Sequence, residues 1–192
     1  MRISSLVLST ALLCSTNAFA DWQLANDQST LNFISTKNAK VTELHKLKSM
    51  SGAIDDAGNA IVKLDLSSVD TGIEIRDQRM LAHLFDVARF ANATVTLKVP
   101  QSALTLKVGQ QQSLTLDFNV DLHGVNQVLP IAVVVTALEG GNLHVQSTKP
   151  VILSSQAFGL DAGIEMLRSL AKLDNIVTSV PVTFALTFVA KS

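Results

Sequence analysis

The residues best suited to chemistry lie between Asp70 and Phe90, in the stretch DTGIEIRDQRMLAHLFDVARF. Asp70, Glu74, Arg76, Asp77, Arg79, Asp86 and Arg89 place seven charges in 21 residues of a chain whose overall charged fraction is only 16%. A guanidinium is well shaped to hold a phosphate or carbonyl group. Arg76, and Arg79 one turn away, are therefore candidates for gripping an oxygen-bearing group, and His83 lies near the polar edge of the same segment. A structural reading is equally open. Asp77 can cap the start of a helix, and Arg76 can tie the segment to a neighbouring strand. The two readings are compatible.

Other constellations are weaker. Asp117 and Asp121 share one face of an alternating segment and have the types of an acid/base pair, but that face is the wet one, where they read as solubilising charges. His45, His123 and His144 are scattered, with no metal-ligand spacing between them. No serine sits in a G-x-S-x-G elbow, and no glycine-rich loop leads from a strand into a helix. Nothing in the pattern argues for catalysis or for a metal, and no basic tract argues for nucleic acid.

The elements that must position the charged segment are strands. From Ser113 to Leu122 every even position is apolar and every odd one polar. Val180, Val182, Phe184, Leu186 and Phe188 form a second row. Shorter rows run through Val62, Leu64 and Leu66, through Val95, Leu97 and Val99, and through Ile131, Val133 and Val135. Strict alternation predicts strands with one dry and one wet face. The breaks at 55–59, 123–126 and 139–142 carry the Gly and Asn that hairpin turns need, so the strands are expected to be antiparallel. Two segments switch to helical period. Met80, Leu81, Leu84 and Phe85 share one face. A second helix opens at Asp161 or Gly163, with Ile164, Leu167, Leu170 and Ala171 inward and Glu165, Arg168 and Lys172 outward.

The first 20 residues read as a cleaved signal peptide. Arg2 is followed by an apolar core from Leu6 to Leu13 and by Ala18-Phe19-Ala20. Cleavage before Asp21 and export to a bacterial periplasm are expected. Cys14 does not make a lipoprotein site, because Leu13 stands where a small residue is needed. The remaining chain, 21–192, has no cysteine and carries 14 basic against 16 acidic residues. It must be held by its core rather than by disulfides, and its length suffices for one domain. No second apolar run is long enough to span a bilayer.

An all-antiparallel chain hides its edges best by closing into a barrel. An eight-stranded barrel is either filled with side chains or holds one small ligand. The inward rows, with Phe33, Phe118, Phe184 and Phe188 and no Tyr in the chain, are strongly apolar. Periodicity leaves open whether they enclose a solid core or a cavity.

The ordered motifs resemble one family. Ser67-Ser68-Val69-Asp70-Thr71-Gly72, then Ile75-Arg76-Asp77-Gln78-Arg79-Met80-Leu81, then Leu84-Phe85-Asp86 is similar to the signature of the YceI-like proteins. Trp22, the strand Ser29 to Phe33, Ser51-Gly52 and the strand Leu116 to Gly124 with its His-Gly turn agree with it, so the resemblance spans Trp22 to Val189. Phe90-Ala91 departs from the family's usual Tyr-Pro, and the tail from Phe158 to Leu173 looks like a subgroup feature. The resemblance implies an extended, lipocalin-like, antiparallel eight-stranded barrel, all-β with two short helices, in a single domain over 21–192. It also implies an exported protein that binds a long amphiphilic lipid such as an isoprenoid, a quinone or an acyl chain. Phe33, Leu64, Phe118, Val120, Phe184, Leu186 and Phe188 are then candidates to line the lipid tail. Arg76, Arg79 and His83 are candidates for the head group, and Asp77, Leu84, Phe85 and Asp86 for a structural lid. Sequestration needs no cofactor beyond the lipid itself. The alternatives are an enzyme acting on a lipid or quinone through Arg76, Asp77 and His83, and a filled barrel serving as an interaction module, for example a homodimer.

Overall fold

The computed structural model describes residues 20–191. The expected leader therefore lies, apart from Ala20, outside the described residues. Twelve strands form one antiparallel sheet. They are β1 (Ala20–Leu24), β2 (Thr30–Lys37), β3 (Val41–Leu47), β4 (Met50–Asp55), β5 (Asn59–Asp65), β6 (Val69–Asp70), β7 (Asn92–Lys98), β8 (Gln111–Leu122), β9 (Val125–Ala137), β10 (Leu143–Ser147), β11 (Val151–Ser154) and β12 (Ser179–Ala190). Three α-helices accompany them: α1 (Glu74–Arg79), α2 (Gln101–Leu104) and α3 (Asp161–Leu170).

The twelve strands are eight staves. β1 and β2 are one stave interrupted by a 3₁₀ turn, because β1 pairs with β4 while β2 pairs with β3. β5–β6 is likewise interrupted by a 3₁₀ turn, and β3–β4 and β10–β11 by breaks of two and three residues. β12 pairs along one half with β1 (Trp22↔Ala190, Leu24↔Phe188) and along the other with β2 (Val182↔Phe33). That contact between the first and last staves closes the ring β1-β4-β5-β7-β8-β9-β10-β12. Eight antiparallel staves closed in this way are the expected barrel, with no free edge in that half.

The hairpins lie where the sequence places them. The β8–β9 turn is two residues, His123 (φ 56°) and Gly124 (φ 76°). A Cβ at Gly124 would stand 2.9 Å from the Phe90 ring, so the turn needs glycine for space as well as for backbone. Phe90 packs against His123 in a tilted arrangement, with ring centroids 4.6 Å apart, and the Arg89 guanidinium lies over the Phe90 ring at 4.9 Å. The end of the charged segment is thereby clamped to the β8–β9 turn.

The barrel is not uniform along its axis. At the β1–β4 end it is filled: Ile54, Val133, Val135, Ala103 and Phe188 are almost wholly buried. At the other end the ladder stops at β6 on one side and β11 on the other. The chain covers this opening with α1, which runs directly into a π-helical turn over Met80–Phe85, and with α3, which packs against that turn. Met80, Leu84 and Phe85 are buried, as their shared face predicts. Helix α1 starts at Glu74, three residues before Asp77, so Asp77 is not its cap. The N-cap position is Ile73, which makes no capping side-chain bond. Leu170, expected inward, is exposed because α3 ends there. Asp86 takes a left-handed conformation (φ 48°) and stops the π turn, while its carboxylate pairs with Arg89 at 3.2 Å. Among the described residues no helix is long and apolar enough to cross a membrane.

Gly163 sets the closeness of the two covering helices. A Cβ there would lie 2.6 Å from the His83 carbonyl oxygen and 2.8 Å from Leu84 Cα. Both are backbone atoms that a side-chain rotation cannot move. Gly163→Ala is expected to lower stability by about 1–3 kcal/mol, as overpacking does. Denaturant unfolding with an unchanged m-value checks this.

Candidate functional site

The covered end of the barrel encloses a cavity of about 380 Å³, within the usual size of small-ligand sites. Its wall is built from the inward rows of the staves: Leu64 from β5, Val120 and Leu122 from β8, and Val180 and Val182 from β12. Its roof is Met80, Leu84 and Phe85 from the π turn and Ile164 and Leu167 from α3. The floor follows from register. On β8 the residue below Val120 is Phe118, and on β12 the residue below Val182 is Phe184. Their rings meet across the interior with centroids 6.0 Å apart. Beyond that pair lie the buried side chains of Val133, Val135, Leu186 and Phe188.

Three tail-lining candidates, Phe33, Leu64 and Val120, border the cavity. Phe118, Phe184, Leu186 and Phe188 do not. They point inward as expected but belong to the floor and to the filled half beyond it. Alternation gives the face of a residue, not its depth, and these four sit too deep.

The β2–β3 hairpin carries a gradient of polarity. Its inward residues, from floor to mouth, are the pairs Leu31↔Leu47, Phe33↔His45 and Ser35↔Glu43, and then Lys37. Apolar contacts thus give way to a neutral polar pair and then to charge. At the mouth Lys37 and Arg76 both reach Glu43 Oε2, at 2.9 and 2.8 Å. The Lys37 hydrogen bond, helped by Arg76, holds the Glu43 carboxyl below its ordinary range against the opposing effect of burial.

Arg76 is engaged through all three of its guanidinium nitrogens. Its Nε donates to Thr71 Oγ1 (2.8 Å), one terminal nitrogen to Glu43 Oε2 (2.8 Å) and the other to the Thr71 carbonyl (2.6 Å). Asp77 completes the unit by accepting from the Thr71 N–H (3.0 Å) and hydroxyl. These bonds tie the lid to β3 and commit three of the five guanidinium N–H groups to structure. Arg79 also borders the cavity, but its one hydrogen bond among the described residues is a long one, 3.4 Å to the Leu170 carbonyl. His83 is exposed and does not border the cavity. Asp117 lies on the outer face.

Sequence reasoning passed over Ser35 and His45. His45 borders the cavity at 3% exposure, with its ring 5.2 Å from Phe33, and its Nε2 is 2.8 Å from Ser35 Oγ. Its Nδ1 is buried with no partner among the described residues. Burial pushes the imidazole pKa down, the Arg76 charge adds to that, and Glu43 and Asp77 oppose it. The pair has the residue types of a nucleophile and its base, but no carboxylate orients Nδ1, as a triad requires. The signal that could have found His45 is an inversion. Leu44, its neighbour on β3, is 66% exposed while His45 is buried. Among the described residues no three His, Cys, Asp or Glu side chains gather as a metal site.

The sequence profile of the YceI-like domain matches residues 22–188. A polyisoprenoid-binding domain from Saccharophagus degradans, implicated in plant cell wall breakdown, is similar at 38% identity and TM-score 0.88, over 90% of this chain and all of that one. Burkholderia cenocepacia BcnA shares the fold at 16% identity and TM-score 0.64, over 85% of this chain and 98% of its own. Among curated protein sequences none matches this chain.

The buried histidine makes stability depend on pH with a definite sign. Its folded pKa is lowered from 6.5, so on acidification the unfolded chain takes up this proton before the folded one does. Stability is therefore expected to fall as pH drops below about 6.5, levelling off once the folded pKa is passed. Urea unfolding between pH 7 and 5 should show this slope, and His45→Gln should flatten it. Loss of the Glu43 contribution belongs lower, below its ordinary value of 4.5.

Proposed function

The chain belongs to the YceI-like family, and from that premise we propose that it is a periplasmic binding protein that sequesters a long amphiphilic lipid. The apolar tail lies in the cavity between the Phe118–Phe184 floor and the helical roof, and the polar end lies toward the mouth. The observation that carries the reading is the match between the site's gradient and that of an amphiphile. Along one hairpin the inward side chains pass from Leu31 and Leu47 to Lys37 and Glu43, as a lipid passes from tail to head. Each methylene moved from water into such a wall contributes about 0.8 kcal/mol, so a chain is held with few polar contacts. The polyisoprenoid-binding domain, similar over its whole length, supports an isoprenoid as the tail. The leader-like start of the sequence supports export.

The mechanism is exclusion of water rather than bond chemistry. The lid is fixed at one end by Arg76 on Glu43 and Thr71, and at the other by Phe90 on His123. Between these anchors the π turn and α3 cover the tail, with Phe158, Leu160 and Leu173 beside them. Among the mouth cations that border the cavity, Lys37 and Arg76 share the Glu43 carboxylate, and Arg79 is the one without a carboxylate partner among the described residues. It is the cation available to a phosphate or carbonyl head.

Native purification followed by solvent extraction and mass spectrometry is expected to release an isoprenoid or acyl lipid. Val120→Trp should fill the space above the floor and reduce lipid uptake about tenfold, the equivalent of roughly two displaced methylenes. A protein that emerges empty and takes up no such lipid would contradict the reading.

A further inference from the structure

We propose that Ser35 and His45 form a separate, uncharged hydrogen-bonding subsite inside the cavity that takes an alcohol or carbonyl oxygen of the bound amphiphile. The inference rests on the lipid-binding reading and narrows its ligand to one with a neutral oxygen near the mouth.

A count of hydrogens makes the case. A serine hydroxyl and a neutral imidazole bring two polar hydrogens between them. The Ser35 Oγ–His45 Nε2 contact consumes one. Neither polar side-chain group has another partner among the described residues, and Nδ1 is buried and unpaired. One donor hydrogen is therefore unspent whichever tautomer holds. If Ser35 donates to Nε2, a buried Nδ1–H is orphaned. If Nε2–H donates to Ser35, the hydroxyl hydrogen is free and Nδ1 keeps a lone pair. An unpaired buried N–H is the rarer and costlier state, so the second arrangement is favoured. It offers the ligand one donor, the Ser35 hydroxyl on the cavity wall, which an alcohol oxygen can accept; His45 Nδ1 is shut away from the cavity and fixes only the direction of the pair. The same donor serves a carbonyl.

Position sets the charge preference. Ser35 is one inward step below Lys37 on β2, about 7 Å deeper along the strand. Its cross-strand partner is Glu43, whose carboxylate repels an anion, and the next inward pair below it is Phe33 and His45. An ionised group there would lose its hydration, while Lys37 and Arg79 offer it a wetter place at the mouth. A neutral oxygen loses little and repairs an unmet bond. His45 stays neutral in the same surroundings, because burial lowers its pKa, so it supplies no charge to hold an anion.

Three probes of one chain length separate the contributions: farnesol, farnesene and farnesyl phosphate. Binding is measured by displacement of a fluorescent lipid from the full exported chain. Ser35→Ala and His45→Phe are expected to weaken farnesol about fivefold, the effect of one neutral hydrogen bond, and to leave farnesene within twofold. Arg79→Ala should weaken farnesyl phosphate and spare farnesol. In the unsubstituted protein the His45 ring ¹⁵N resonances should move on adding farnesol more than on adding farnesene, a readout that needs no variant to fold. If Ser35→Ala leaves the farnesol-to-farnesene ratio unchanged and the His45 resonances respond alike to both, the subsite is overturned and the lipid site stands. If the unsubstituted protein binds none of the three, the lipid reading is overturned and the subsite with it.

Discussion

The structure depends on packing that is complete at one end of a barrel and incomplete at the other. Interiors are normally filled to crystal-like density, and in one half Ile54, Val133 and Val135 are almost wholly buried. The change comes at the Phe118–Phe184 contact. Below it, facing staves supply enough side-chain volume. Above it, the ladder ends at β6 and at β11, and the wall residues leave a cavity of about 380 Å³. An apolar void of this size is costly to leave unfilled. The same deficit becomes binding energy when an apolar chain enters.

The charged segment solves the problem that the opening creates. A splayed barrel end has unpaired strand edges and exposed apolar rows, and a helical cover hides both. The cover must be held without filling the space beneath it. Arg76 does this from the rim, using all three guanidinium nitrogens on Thr71 and Glu43. Gly163 lets α3 lie against the π turn at backbone contact distance. Charge at the mouth is thus mostly spent on architecture. The interior polarity comes instead from a neutral pair one step down, where hydrogen bonding can select a ligand without the desolvation penalty of an ion.

The barrel was legible in the sequence because alternation and hairpin turns are local signals that tertiary context did not override. The rows on β8 and β12, the turn at His123-Gly124 and the buried face of Met80, Leu84 and Phe85 all appear in the structure. Depth was not legible. Phe118 and Phe33 both face inward, yet one is floor and the other wall. Only the three-dimensional stagger of the staves separates them. Asp77 looked like a helix cap because it precedes the apolar face, but α1 starts earlier and its carboxylate turns back to Thr71. His45 was hidden for a different reason. Strand β3 has Val41, Leu44 and Leu47 at a spacing of three, so it shows no period-two signal. Burial there runs against hydrophobicity, with leucine outside and histidine inside. Such local inversions are expected where function overrides folding preference.

The central claim is that an apolar chain occupies the space between the Phe118–Phe184 floor and the helical roof. Methyl-labelled protein loaded with a ¹³C-labelled isoprenoid tests it most directly, through contacts read by nuclear Overhauser effects. The account predicts contacts from the chain to Leu64, Val120, Leu122 and Val182 and none to Val133 or Val135. Contacts confined to outward residues such as Leu44 or Val128, or spread through the filled half, would contradict it.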